Sequence, residues 1–273
     1  ALKRAGKMAG KNSQFITRGK LNTRGVSFNT ALGIHAAAGG IPLGIKNSKS
    51  GIDIWIGIDI WREGKKSIAA GSVAFDSNGT HIGHVNSRPV TGERIEDDVY
   101  RAMIRDLLDG LSHRGVLSTN IPTKIGIIRD GWSFESLQIV KDIEEEFEVE
   151  IIVVEFLKRN QARIAKLESG RISSCNQGTA LISVADRVGY IQTSDQRKGQ
   201  FGGSPTIKRV MVKKGDIDFK AVLEDIFWLC KINAASTQQP GVPIPVHYAH
   251  KLAEQAGRGL PTREGFHTDL GFL

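Results

Sequence analysis

The sequence lacks the features that mark secreted and membrane proteins. It contains two cysteines, Cys175 and Cys230, and their distant positions suit neither a disulfide framework nor a zinc site. Its apolar runs are all shorter than the roughly 18 residues that a membrane-spanning helix needs. Its first eleven residues lack the apolar core of a signal peptide. These absences predict a soluble protein of a reducing compartment, the cytoplasm.

Aromatic residues and, over one long segment, acidic residues are also scarce. Phe, Trp and Tyr make up 7% of the chain, which disfavours a platform for stacked single-stranded bases. Residues 1–50 contain nine Lys or Arg and no Asp or Glu, in a chain of net charge +8. Residues 158–214 hold twelve basic and three acidic residues, whereas residues 135–155 hold eight acidic residues and one basic residue. This segregation predicts a groove for a polyanion and an acidic outer face, although chance patchiness would give the same layout.

An α/β pattern begins after residue 50. Every second residue from 52 to 60 is isoleucine, which predicts a strand with these five side chains on one face and Asp59 on the other. Two hairpin turns then predict two antiparallel strands, at residues 67–75 and 81–88.

Helices and strands alternate in the rest of the pattern. The spacing of apolar residues predicts a helix at 95–111, a strand at 124–129, a helix at 134–147 and a strand at 150–156. Three strands followed by helix, strand, helix and strand predict an α/β, ribonuclease H-like mixed sheet with helices on both faces. Two more helices are predicted beyond it, at 219–232 and 246–257.

Asp59 and Asp130 are the candidates for chemistry that the pattern itself offers. An aspartate in an apolar strand is costly to bury unless something such as a cation compensates its charge. The first and fourth strands of such a sheet are neighbours, so the two carboxylates should meet there and bind a hard cation such as Mg²⁺. Each also has an ordinary alternative, a capped aspartate at a strand end for Asp59 and a simple turn for Asp130.

Motifs in a fixed order along nearly the whole chain resemble the Argonaute family, in its prokaryotic form. The segments that resemble the run into the family's Piwi domain are Asn12-Ser13-Gln14-Phe15-Ile16, Leu21-Asn22-Thr23, Leu32-Gly33-Ile34-His35 and Ala38-Gly39-Gly40-Ile41-Pro42. The segments that resemble its catalytic strands and C-terminal helix are Ile56-Gly57-Ile58-Asp59-Ile60, Ile128-Arg129-Asp130-Gly131 and Val242-Pro243-Ile244-Pro245-Val246-His247-Tyr248-Ala249-His250.

The resemblance implies a guide-directed endonuclease that cleaves DNA or RNA, with a guide strand and a complementary target as partners. Its catalytic set would be Asp59, a glutamate finger, Asp130 and His250, of which the aspartates and the histidine hold two Mg²⁺ or Mn²⁺ ions. Such ions activate a water and stabilise the leaving oxygen of a phosphodiester. Glu93 is the first choice for the finger and Glu96 the second. His247 is expected to pack near the site instead.

The family binds the 5′ end of its guide in a middle domain. Lys3 and Gln14 fall at matching positions, and the terminal carboxylate of Leu273 is implied to help hold a cation there. The family's lysine before the Gly-Gly pair is Ala37 here, which leaves guides with a 5′-phosphate or a 5′-hydroxyl open. The resemblance implies that residues 1–50 are a remnant of the middle domain with a connector, and that residues 51–273 are the Piwi domain. A longer protein or another chain would supply the rest.

A protein that leaves sequence reading to base pairing needs cations along the duplex backbone. The candidates for this channel are Lys158, Arg159, Arg163, Lys166, Arg171, Arg197 and Lys198. Two other interpretations stay open. One is a non-cleaving module that holds guide and target and signals to a partner effector, and the other is a ribonuclease H-like nuclease or integrase without a guide.

Overall fold

A computed structural model describes residues 25–38, 40, 44–46, 48–63, 66–86, 95–117, 121–194, 206–232, 241–258 and 265–268. The helices are α1 (Val26–Ala37), α2 (Asp97–His113), α3 (Leu137–Phe147), α4 (Phe219–Leu229) and α5 (Ile244–Gly257). The strands are β1 (Ile54–Glu63), β2 (Lys66–Asp76), β3 (His81–Asn86), β4 (Lys124–Asp130), β5 (Glu150–Leu157), β6 (Ala165–Glu168), β7 (Arg171–Ser174), β8 (Ala180–Ser183), β9 (Val188–Ile191) and β10 (Lys208–Lys214).

Eight strands form one mixed sheet in the order β3-β2-β1-β4-β5-β10-β9-β8, and β6 and β7 form a separate hairpin. The central strands β1, β4 and β5 are parallel, and the strands on either side of them are antiparallel. Because neighbouring parallel strands end at the same edge of a sheet, β1, β4 and β5 can present side chains to a common site. The arrangement confirms the predicted ribonuclease H-like α/β sheet.

Helices cover both faces of this sheet, as predicted. On one face, Ile56 and Ile58 of β1 pack with Leu107 of α2 and Ile143 of α3. On the other face, a second apolar cluster joins the sheet to α4 and α5, and its largest side chains include Trp55, Phe75, Phe156 and Tyr248. Since both faces of β1 and β4 are covered, a charged side chain on either strand is held in a largely apolar setting.

One prediction about local structure was wrong, and several strands were not predicted. Ile52 does not share a face with the other four isoleucines but packs in the Trp55 cluster, because β1 begins only at Ile54 and strand alternation does not apply before it. Strands β6 to β10 were not predicted. The two strands of the β6–β7 hairpin have four residues each and are exposed on both faces, so no buried apolar face marks them in the sequence.

The carboxylates of the acidic segment, residues 135–155, are less exposed and less free of partners than their number suggests. Several of these carboxylates form ion pairs with neighbouring elements, among them Asp142 with Arg101, Glu146 with Arg105, Glu144 with Lys214 and Glu150 with Lys124. Glu135 and Glu155 are buried close to the end of β4. The predicted acidic outer face is therefore largely neutralised.

None of the helices that the structure describes has the length and apolar composition to cross a bilayer.

Asp225 of α4 ties the segment before β1 to the domain. Its buried carboxylate accepts hydrogen bonds from the backbone N–H groups of Lys49 and Ser50 and from the hydroxyls of Ser48 and Ser50. We expect Asp225→Asn to lower the free energy of unfolding by about 2 kcal/mol, because the new amide group would face these donors. Urea unfolding measures this, with the exposed Asp186→Asn as the control. A loss no larger than the control's would show that the anchor is dispensable.

Candidate active site

Three neighbouring parallel strands bring Asp59, Asp130 and Lys158 to one face of the sheet. Ile58 of β1 lies opposite Arg129 of β4, which places Asp59 beside Asp130. In the pairing of β4 with β5, Asp130 lies opposite Phe156, and Lys158 directly follows the end of β5. In each strand, a residue an even number of positions earlier lies on the same face as the charged residue. These residues are Trp55 before Asp59, Ile128 before Asp130 and Phe156 before Lys158, and all three belong to the apolar cluster beneath α4 and α5. Strand alternation thus points all three charged side chains toward α5.

Helix α5 reaches this face because glycine lets it approach closely. A Cβ atom on Gly57 would lie 2.1 Å from the carbonyl carbon of Pro245, so no other residue fits without a shift. Pro245 is in the first turn of α5, where its missing N–H needs no partner. The helix then carries His250 over β1, where its Nδ1 lies 2.9 Å from Asp59 Oδ2.

The ammonium of Lys158 lies between the two carboxylates. Its Nζ is 3.0 Å from Asp59 Oδ2 and 2.6 Å from Asp130 Oδ2. The other oxygen of Asp59 accepts a hydrogen bond from the backbone N–H of Ile60 at 2.8 Å. Asp59 is only 4% exposed, so its charge depends on these partners, whereas the side chains of Asp130 and Lys158 are 18% and 28% exposed.

The environment separates the pKa values of the two carboxyl groups. Burial acts to raise the pKa of Asp59, but the hydrogen bond with His250 and the charge of Lys158 outweigh it and lower this pKa to about 2. Burial, followed by the charge of Asp59, raises the pKa of Asp130 to about 6 despite Lys158. Burial opposes the charge of Lys158, yet the two carboxylates raise its pKa. At neutral pH two carboxylates therefore share one ammonium, and a further positive charge is favoured.

The raised pKa of Asp130 makes the free energy of unfolding of the metal-free protein, measured in EDTA, depend on pH. The folded protein holds this proton more tightly than the unfolded chain, so the stabilisation is complete below about pH 4 and is lost as the pH rises through about 6. Relative to Asp130→Asn, we expect the wild-type free energy of unfolding to fall between these values by at most about 1.4 kcal/mol per pH unit. Urea unfolding of both proteins measures the difference. A difference that stays constant or grows with pH would contradict the raised pKa.

A buried ion pair holds the loop that follows Asp130. The Nε of Arg129 donates to Glu135 Oε1 at 3.1 Å, and its Nη1 donates to the carbonyl oxygen of Asp130 at 2.8 Å. The side chains of this pair are 5% and 2% exposed. Farther along, the backbone N–H of Ser133 donates to buried Glu155 at 2.9 Å. These contacts fix the position of the Asp130 backbone at the end of its strand.

A cleft of about 840 Å³ opens over the two carboxylates. Its walls combine cationic and aromatic side chains, namely Arg62, Arg159, Trp132 and Phe134. The two rings are 49% and 50% exposed, and the guanidinium of Arg209 lies 4.8 Å from the centre of the Trp132 ring. Cations beside exposed rings provide contacts for a phosphate backbone and for the flat faces of sugars or bases.

The donor groups suit a divalent cation but are not assembled around one. Carboxylate oxygens are the ligands that Mg²⁺ and Mn²⁺ prefer, and Asp59 and Asp130 each direct one oxygen to the same point. The ammonium of Lys158 takes that point, and His250 is turned to Asp59. Accordingly, within the described ranges no three or more His, Cys, Asp or Glu side chains are grouped to hold a metal ion. The carboxylates fit such an ion once Lys158 moves away.

Two other predicted site residues are described and do not line the cleft. Glu96 is exposed at the N-cap of α2 and does not line the cleft. His247 does not line it either, and burial lowers the pKa of His247 to about 4. Six predicted residues lie outside the described ranges, and their roles stay predictions: Lys3, Gln14, Glu93, Arg197, Lys198 and Leu273.

The predicted channel residues are not one continuous row. Arg159 lines the cleft, and Lys158 is inside it, paired with the carboxylates. The remaining described members have local partners or are simply exposed. Arg163 donates to the carbonyl oxygens of Asn160 and Ala162, Lys166 pairs with Glu168, and Arg171 is exposed on β7.

Sequence reasoning missed the place of Lys158 and the contribution of Trp132 and Phe134. Lys158 could have been found, because it lies two residues after the end of the predicted strand at 150–156. The two rings follow Asp130 within four residues, but the sequence carries no signal that a loop will leave them half-exposed.

Comparison with known proteins places this chain in a family. The Piwi domain family matches residues 2–260. The chain is similar to the Argonaute proteins of Aquifex aeolicus, with 23% identity over 248 residues, and of Pyrococcus furiosus, with 25% identity over 230 residues. These matches cover 88% and 81% of this chain but 32% and 28% of the relatives. The chain thus spans about a third of the length of the curated relatives that it matches.

Solved structures give the same result for the fold. Clostridium butyricum Argonaute, bound to a guide DNA and a 19-mer target DNA, has a TM-score of 0.84 at 25% identity, over 99% of this chain and 37% of that one. Marinitoga piezophila Argonaute, in complex with a 5′ OH guide RNA and target DNA, has a TM-score of 0.55 at 17% identity, over 76% and 30%. The second likeness is one of fold alone.

Proposed function

Because this chain belongs to the Piwi domain family of Argonaute proteins, we propose that it is the nuclease part of a guide-directed, metal-dependent endonuclease that cleaves a target strand. One observation carries the proposal. Asp59 and Asp130 direct their oxygens to a single cationic centre, the Lys158 ammonium, where the parallel pairing of β1 with β4 ends, at the base of an open cleft. A protein that only binds nucleic acid has no need to concentrate buried carboxylates there.

Each described residue of the site has a role in this proposal. Asp59 and Asp130 would hold the cations, and His250, whose Nδ1 contacts Asp59, would orient that carboxylate and serve as a further ligand. Mg²⁺ or Mn²⁺ ions, when bound, would supply an activated water and stabilise the leaving oxygen of the phosphodiester. Arg129 keeps the Asp130 backbone in place through its bond to that carbonyl oxygen. Glu93, the predicted glutamate finger, would complete the set.

The cleft walls suit the backbone of a guide–target duplex. Arg62 and Arg159 would bind phosphates, and Trp132 and Phe134 would contact sugars or bases. Such contacts hold a duplex by shape and charge, while base pairing selects the target. The similar Argonautes were solved with guide DNA and target DNA and with 5′ OH guide RNA and target DNA. The proposal therefore covers a guide of either sugar.

Cleavage of a labelled target by guide-loaded protein tests this function. With a matched guide and Mn²⁺, we expect one cut within the paired region, and no cut in EDTA or with a scrambled guide. Cutting that persists with the scrambled guide would instead support a ribonuclease H-like nuclease without a guide.

A second candidate function is a non-cleaving module that holds guide and target and signals to a partner effector. The pairing of Lys158 with both carboxylates favours it, because a permanent ion pair would leave no place for a metal. Mn²⁺ binding separates the two candidates. The nuclease requires binding that depends on Asp59 and Asp130, whereas a permanent ion pair predicts none.

A further inference from the structure

Lys158 differs from the other ion-paired residues near the site. Arg129 and Glu135 form a buried pair whose side chains are 5% and 2% exposed, as expected of a fixed structural contact. The Lys158 side chain is 28% exposed and borders the cleft. Its head contacts two carboxylates at once, where one partner would satisfy an ordinary surface lysine.

The backbone of Lys158 is fixed while its side chain can leave. The Nζ of Lys208 donates to the carbonyl oxygen of Lys158 at 2.9 Å, and Leu157, the residue before it, ends β5. The lysine side chain has four flexible carbons, so its head can turn into the cleft without any movement of the sheet. The same cleft is where the phosphates of a bound nucleic acid would lie.

We propose that Lys158 is a tethered counter-cation, which neutralises Asp59 and Asp130 in the metal-free protein and is displaced when a divalent cation binds. The inference rests on the proposed function, since it assumes that these carboxylates are the metal site. Displacement turns the ammonium toward the cleft, where a backbone phosphate is its natural partner. The metal would replace the Lys158 ammonium at the carboxylates, and a phosphate of the nucleic acid would attract this ammonium into the cleft. Metal and nucleic acid would therefore each favour binding of the other.

Mn²⁺ titration without nucleic acid tests direct competition. We expect Lys158→Gln to bind Mn²⁺ about tenfold more tightly than the wild type, since the ion no longer has to displace a charge-assisted contact. Arg159→Gln is the matched control, because it removes one positive charge from the same cleft but touches neither carboxylate. The gain for Lys158→Gln should clearly exceed the gain for this control. Equal gains would overturn the inference.

The same titration keeps the two proposals apart. If Asp59→Asn and Asp130→Asn do not weaken Mn²⁺ binding, the metal site of the proposed function is wrong. If they weaken it while Lys158→Gln matches Arg159→Gln, the metal site stands and the counter-cation is wrong.

A measurement on the wild-type protein avoids any doubt about the folding of variants. Amine acylation followed by mass spectrometry reports how accessible each lysine head is. We expect saturating Mg²⁺ to raise the acylation of Lys158 severalfold over that in EDTA. Lys251, which is half-exposed and paired with Glu254, should not change. Labelling of Lys158 that ignores Mg²⁺ would contradict displacement.

Discussion

Asp130→Asn is expected to slow the cleavage of a guide-matched target by at least about a thousandfold while the affinity for the guide–target duplex is retained. The amide keeps the size of the side chain but removes the charge that would hold the proposed cation, and such a cation contributes several kcal/mol to transition-state stabilisation. The neighbouring Arg129 and Glu135 do not change, so the loop and the cleft wall should keep their shape.

Single-turnover cleavage and duplex binding measure this prediction together. Asp106→Asn, which alters an exposed carboxylate on α2, is the control and should cleave at the wild-type rate. Loss of both cleavage and binding would mean that Asp130 is needed for the fold of the cleft. Retained cleavage would remove Asp130 from the site.

Gly57→Ala is expected to give the largest loss of stability. The added Cβ would lie 2.1 Å and 2.3 Å from the carbonyl carbon and oxygen of Pro245 and 2.4 Å from the N of Val246. All three are backbone atoms that cannot rotate away, so α5 must move off β1. We expect the free energy of unfolding to fall by about 3 kcal/mol and the Tm by about 5–10 °C. His250 would lose its contact with Asp59, and cleavage should fall as well.

Gly189→Ala is the matched control for this experiment. Gly189 is also in a strand, but a Cβ there would meet only the ends of the Leu223 and Phe219 side chains at 3.0 Å or more. These side chains can adjust, so we expect a small effect on the Tm. Thermal unfolding of both variants measures the comparison. A Gly57→Ala protein as stable as the control would show that α5 can shift at little cost.

The fold could be predicted because the central strands are strongly periodic. The alternating isoleucines of β1 and the apolar run of β4 predict strands. Because the first and fourth strands are neighbours in a ribonuclease H-like sheet, this prediction also brings Asp59 close to Asp130. The edge of the sheet could not be predicted in the same way. Strands β8 and β9 have four residues each, too few for a period to stand out, and tertiary pairing rather than local preference forms them.

Three residues of the candidate site could be named from the sequence, but their contacts could be predicted only in part. Motif order indicated Asp59, Asp130 and His250, and the structure brings these three together. The pairing of Lys158 with both carboxylates depends on how far its side chain reaches across two strands, which spacing along the chain does not encode. The buried Arg129–Glu135 pair is a similar case.

Moving the guide tests the central proposal most directly. Two guides offset by one nucleotide on the same target should give cuts offset by one nucleotide, each abolished by Asp130→Asn, because a duplex bound in the cleft as proposed would lie at a fixed distance from the carboxylates. A cut that stays at one position of the target whichever guide is loaded would contradict guide-directed cleavage at this site.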